Sequence, residues 1–170
     1  MKTKLESINF IEIIKEIVDS NKDVLTLACR GRSKFEGWLK FEIARRLLKK
    51  GFEVFPEHGR FDIAIFDESK DEFVVELKTA NISYRIKGVK NKTRPVTKNF
   101  KSIEKDTEKI KRSGKKGKVI FVIFPVPVND KRYLEFVERV QKNTGVSIIE
   151  NFLRIEYNYG IVLCESSVIN

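Results

Sequence analysis

The sequence predicts a single α/β domain with a central mixed β-sheet flanked by helices, and three observations carry that prediction. Helical spacing of apolar residues dominates up to Gly51. A strand-like alternation takes over after it. A helix, a nearly continuous apolar run, another helix and closing strands complete the order. With 170 residues and 41% hydrophobic content, the chain has the size of one domain with its own core. No repeat, low-complexity tract or linker divides residues 1–170.

Taken in order, Phe10, Ile11, Ile14, Ile17 and Val18 share a helical face and place a first helix from Leu5 to Ser20. Val24 to Cys29 fits neither period clearly. Ser33, with Glu36 three residues on, reads as a capping box for a second helix with the stripe Leu39, Ile43 and Leu47, stopped by Gly51. Phe52 to Phe55, Phe61 to Phe66 and Phe73 to Lys78 read as strands, and the short turns between them make antiparallel neighbours. Thr79 to Lys98 has no clear period and reads as a long loop. Phe100, Ile103, Thr107 and Ile110 define a helix from Asn99, which ends in a basic turn between Lys109 and Lys118. Val119 to Phe124 suits a strand buried on both faces. A helix over Asp130 to Lys142 and strands at Val146 to Ile149 and Gly160 to Cys164 close the fold.

The formal net charge of +10 favours polyanionic partners, because cations that neutralise phosphates release counterions. Cys29 and Cys164 lie far apart, with no CxxC and no histidine cluster, which weighs against a zinc site or a disulfide scaffold. The opening MKTKLESINF lacks the apolar run of a signal peptide, and no apolar stretch approaches a membrane span. These features lead us to expect a cytoplasmic protein without a membrane partner.

In Phe73-Val74-Val75-Glu76-Leu77-Lys78, strand alternation turns Glu76 and Lys78 to one face and Val75 and Leu77 to the other. A carboxylate and an ammonium on a packed strand are costly unless something pairs them. Asp62 opens the preceding strand, and the intervening turn can bring it beside Glu76. Two carboxylates, with the Leu77 carbonyl as a third donor, suit a hard oxygen-liganded cation such as Mg²⁺. Lys78 is then placed to orient a water or to stabilise charge.

A helix with glutamate, a strand, Asp62 on a second strand, Glu76-Leu77-Lys78 on a third, then a helix and a buried strand resemble the core of the PD-(D/E)XK nuclease superfamily. The matching stretch runs over residues 33–124, with Phe61 standing where the motif has proline. The resemblance implies a restriction-endonuclease-like core and hydrolysis of phosphodiester bonds. It implies that Asp62 and Glu76 bind Mg²⁺ or Mn²⁺ and that Lys78 assists. The family usually adds a helical glutamate, and Glu36 and Glu42, within Glu36-Gly37-Trp38-Leu39-Lys40-Phe41-Glu42, are both candidates. The expected substrate is DNA, with RNA open as a second one, and double-strand cutting by one site per chain would call for a homodimer. Two further readings stand beside this one. One is an idle site of the same fold that only binds nucleic acid; the other is a basic structural or ribosome-associated protein.

The loop after the third strand carries Arg85, Lys87, Lys90, Lys92, Arg94 and Lys98, with Tyr84 near its start. It is a candidate nucleic-acid surface, with Tyr84 available to stack on a base. Asp106 and Lys109 read first as an ordinary i,i+3 pair, although the resembling family also aims a helix at its site. His58, the single histidine, and Glu57 share a surface turn. Arg30 and Arg32 suit phosphate contact or a plain surface role equally.

Overall fold

The change of period at Gly51 marks the point where the chain leaves its helices and enters the sheet. The structure is a computed structural model that describes residues 4–91 and 96–170. Three helices come first: α1 (Phe10–Asp19), α2 (Lys22–Gly31) and α3 (Glu36–Lys49). The strands β1 (Glu53–Pro56), β2 (Ile63–Phe66) and β3 (Glu72–Asn81) follow. Then come α4 (Val96–Ser113), β4 (Lys116–Pro127), α5 (Tyr133–Thr144), β5 (Ile148–Arg154) and β6 (Tyr159–Ser166). One mixed sheet runs in the order β1-β2-β3-β4-β6-β5. The short turns do make β1, β2 and β3 antiparallel neighbours, whereas β3 and β4 run parallel because α4 carries the chain back between them.

Strand alternation sorts the layers. On one face, Phe100 of α4 meets Phe121 of β4 edge-on and stacks on Phe136 of α5. On the other, α1 and α3 pack against each other and against the sheet. Here a buried Glu165 on β6 accepts the Phe10 and Ile11 N–H groups, at 3.0 and 3.1 Å. It thereby satisfies the free donors that open α1. Lys118 of β4 completes the tie by donating to Glu165 and to the Ile8 carbonyl. The apolar run in β4 is buried along nearly its whole length, as a central strand between two helical layers requires. No helix among the described residues is long and apolar enough to cross a membrane.

Four expectations are corrected. The first helix starts at Phe10 rather than Leu5, because the Asn9 side chain caps it by accepting from Glu12 N–H. Val24 to Cys29 lies inside a helix, α2, which ends at Arg32 in the left-handed region at φ 50°. The Ser33–Glu36 capping box does not form: Phe35 precedes α3 without a side-chain cap, and the Glu36 carboxylate goes to β3 instead. The last two strands are longer than expected, since β5 is a half-exposed edge and lacks a clean apolar alternation.

Gly117 lets β4 lie close against Val74 of β3 beneath Ile110 of α4. A Cβ there would clash with the Val74 carbonyl oxygen and would lie 2.8 Å from Val74 Cγ2 and 3.2 Å from Ile110 Cγ2. Gly117→Ala should therefore cost about 1–3 kcal/mol, read as a lowered thermal midpoint. A midpoint equal to that of the parent would show that Val74 and Ile110 are not seated this tightly over Gly117.

Candidate active site

The site arises because β3 outlasts β2. Pairing runs from Phe66↔Glu72 to Ile63↔Val75, and beyond Val75 the β2 side of β3 is open. One further step in that register sets Asp62 opposite Glu76. The Asp62 carboxylate spans the opening and accepts the Leu77 N–H at 2.9 Å through Oδ2. Two residues on, the Thr79 N–H donates to Glu36 Oε2 at 2.9 Å. Two carboxylates thus stand in for the missing strand. The Leu77 carbonyl lies between them, because a strand residue's N–H and C=O point to the same side.

Glu76 and Lys78 share the face covered by α4, and α4 meets both. Lys109 contacts Glu76 Oε1, and Asp106 Oδ2 lies 3.4 Å from Lys78 Nζ. From the opposite layer, Lys40 of α3 reaches round the opening to Asp62 Oδ1 at 3.0 Å and to Glu57 at 3.2 Å. Carboxylates and ammonium groups therefore alternate through the cluster.

This geometry separates the two central acids. Burial raises the Glu76 carboxyl, and the neighbouring Asp62 and Asp106 add to it; Lys109 opposes, and the result is a pKa pushed up to about 8. Burial also raises Asp62, but the Leu77 N–H, the Glu76 carboxyl and Lys40 outweigh it and hold Asp62 below the usual carboxylate value. Near neutral pH the pair shares one proton, with Asp62 as the anion. Burial disfavours the charged form of Lys78, yet Asp106, Glu36 and Asp62 hold its pKa above the ordinary lysine value. Lys78 is thus a fixed cation, suited to stabilising negative charge rather than to taking up a proton.

Among the described residues, no group of three or more His, Cys, Asp or Glu side chains is arranged to hold a metal ion. The smaller donor set of Asp62, Glu76 and the Leu77 carbonyl has the oxygen chemistry of an Mg²⁺ or Mn²⁺ site. Two buried oxygens, Glu76 Oε1 and Asp106 Oδ2, have no hydrogen bond of good geometry, although an ammonium faces each. A cation bound at these oxygens would take the place of the ammonium that faces each. Bound there, a divalent ion would polarise a phosphate and acidify a water.

The structure brings together Asp62, Glu76, Leu77, Lys78 and Glu36. Glu42 does not join them: it pairs with Arg45 on its own helix at 2.8 Å. Lys40 is not singled out by the sequence, and Asp106 and Lys109 are read there as an ordinary pair ahead of a helix aimed at the site. Asp106 and Lys109 are not the surface i,i+3 pair that the sequence suggested, since each turns to a different residue of β3. The one available signal for Lys40 was its position beside Leu39 and Ile43, on the side of α3 that is buried.

The long loop is also corrected. Ile82, Tyr84, Ile86 and Val89 are buried, and Ser83, Arg85, Lys87 and Lys90 are exposed between them. Tyr84 is not free to stack on a base: the residue is 5% exposed, and its ring lies under the Arg132 guanidinium, 4.7 Å from the centroid. Arg32 is no surface residue either. It is 1% exposed and donates to the carbonyls of Ile82, Tyr84 and Lys90 and to Asn81 Oδ1. With Lys90 N–H bound to Arg30 O and Asn158 to Lys87 O, this stretch is tied down on the protein. Lys92 and Arg94 lie outside the described residues, and Lys98 is exposed in the first turn of α4.

No protein-family model, no curated protein and no solved structure matches this chain.

Proposed function

We propose that the protein is a metal-dependent nuclease that hydrolyses phosphodiester bonds, with DNA as its substrate. The observation that carries this reading is the placement of Asp62 opposite Glu76 at the open edge of β3, with Lys78 on the same face. In support, the α3-β1-β2-β3-α4-β4 order, antiparallel through β3 and parallel to β4, is the arrangement expected of a restriction-endonuclease-like core. Asp62, Glu76 and the Leu77 carbonyl would hold Mg²⁺ or Mn²⁺. Lys78 would stabilise the charge that develops on the phosphate, and Asp106 would keep its ammonium in place. Glu36 fixes the Thr79 end of the same edge. The setting would be cytoplasmic, and a double-strand break would need a homodimer.

The second reading is an idle site of this kind that binds nucleic acid without cutting it. It is favoured by one observation: lysines, Lys109 and Lys40, already face the two central carboxylates.

Plasmid, linear, single-stranded and branched DNA, and RNA, incubated with Mg²⁺, Mn²⁺ or EDTA, separate the two. Cleavage is expected only with metal, and it should fall by at least ~10³-fold in Asp62→Ala and Lys78→Ala. Binding without cleavage in every metal would favour the idle site. Cleavage that survives Asp62→Ala would remove the catalytic assignment.

A further inference from the structure

Two surfaces flank the cluster. The first is the outer face of α4. Lys98, Lys101, Lys105, Lys109 and Arg112 follow a 3-4-4-3 spacing, which lines them along one side of the helix, away from its buried residues Phe100, Ile103, Thr107 and Ile110. Among the described residues, Lys98, Lys101, Lys105 and Arg112 make no ion pair, whereas Lys109 bends in to Glu76. With Arg60, part of this ridge lines a concavity of about 600 Å³. The two glutamates of that concavity are already engaged, Glu104 by Asn143 and Glu108 by Lys111. Asn143 is neutral and leaves Glu104 its charge, but Arg60, Lys101, Lys105 and Arg112 outnumber the two glutamates, so the ridge presents a surplus of positive charge.

The second surface is aromatic. Phe55 and Phe66 project from β1 and β2 on the sheet face that carries Asp62 and Glu76, as the strand registers require. With His58 they form a cluster whose ring centroids lie 5.6 to 6.0 Å apart. Phe55 is 41% exposed, and His58 is exposed in the turn that leads to Asp62. Exposed rings of this kind would gain from a flat apolar partner.

We propose that these surfaces form a track for single-stranded nucleic acid, with phosphates along the α4 ridge and Arg60, and bases against Phe55, His58 and Phe66. The two features are complementary to the two halves of a nucleotide. A duplex offers only the phosphates, because its base faces are already stacked, whereas an unpaired strand offers both. The track rests on the reading of the cluster as a phosphodiester hydrolase, since it delivers a strand past Asp62, Glu76 and Lys78.

The test is fluorescence anisotropy in EDTA, with a labelled single-stranded DNA oligonucleotide and a duplex of the same length. The parent protein should bind the single strand at least ~10-fold more tightly. Phe55→Ala should weaken single-strand binding by roughly 5- to 150-fold and leave duplex binding unchanged. Should melting show that variant unfolded, Phe55→Leu keeps the apolar bulk without the ring face. The double variant Lys101→Ala, Lys105→Ala should weaken both and lower the single-strand salt slope by about 1.4. Arg45→Ala with Lys49→Ala, on the basic surface of α3, should change neither. Equal or tighter duplex binding, a silent Phe55 variant, or an equal loss in the α3 control overturns the track. Adding Mg²⁺ keeps the two readings apart. Binding as expected without cleavage sinks the hydrolase alone, and cleavage with duplex preference sinks the track alone.

Discussion

Glu76→Gln is expected to leave the protein more stable than the parent at alkaline pH and to lower sharply the cleavage activity proposed above. In the unfolded chain this carboxyl titrates near its ordinary value of 4.5, and in the fold its pKa is pushed up to about 8. A folded state that holds the proton more tightly is favoured at low pH. The contribution of Glu76 is thus complete below pH 4.5 and is lost as pH rises through about 8. A tenfold gain in proton affinity is worth about 1.4 kcal/mol, but the proton is shared with Asp62, so only part of the gain belongs to Glu76. Glutamine keeps the shape, can donate to Asp62 and never ionises. In EDTA at about pH 9 it should gain about 2–3 kcal/mol, or about 4–12 °C in Tm, and near pH 5 almost nothing. The same change removes a carboxylate from the donors proposed for the cation and should lower the proposed cleavage by at least ~10³-fold. Parallel Tm curves for the two proteins across this pH range would show that a charged Glu76 is not strained in the fold. A gain in stability with loss of activity is the trade expected of a site built around an unfavourably buried charge.

The part of the site that lies on adjacent strands was legible in the sequence, because strand geometry is local. Alternation alone sets Glu76 and Lys78 on one face, and a short turn alone returns Asp62 to Glu76. The groups that arrive from helices were not legible in the same way. Lys40 and Lys109 reach Asp62 and Glu76 across the layers; Lys109 has the local pattern of a solvated lysine, and the place of Lys40 on the buried side of α3 does not say which group it meets. Glu36 shows how a local rule misleads: Ser33 and Glu36 have capping-box spacing, yet the open edge of β3 takes the carboxylate. Ile82, Ser83, Tyr84, Arg85 and Ile86 do alternate in and out, but the run is short and crowded with basic residues, so it reads as a solvent loop. Its true character depends on Arg32, a charged residue that composition assigns to the surface and the fold buries.

Arg32→Leu should be the most destabilising single change outside the cluster. Arg32 follows α2 in the left-handed region, and its guanidinium gathers three carbonyls and Asn81 Oδ1 in the interior. Asn81 returns the contact by donating to the Arg32 carbonyl at 3.2 Å. Burial lowers the Arg32 pKa, and Cys29 beside it acts in the opposite direction. Leucine would fill much of the space and leave those acceptors without donors, each a cost of about 1–3 kcal/mol when buried. Partial relaxation should bring the total to about 3–5 kcal/mol, a drop of about 6–20 °C in Tm. Arg32→Lys should not rescue the loss, because one ammonium cannot replace a planar fork bound to several acceptors. The change should also be local before it is global. Amide hydrogen exchange should speed up first at Tyr84 and Val89, whose N–H groups bond within the loop, and at Lys90, which is bound to Arg30 O. Uniform acceleration across β4 and β6, with no earlier loss in the loop, would mean that Arg32 supports the whole core rather than this segment. The distinction bears on the site. The loop joins β3, which carries Glu76 and Lys78, to α4, which carries Asp106 and Lys109, so loosening it should also lower the proposed cleavage activity at temperatures below the melt.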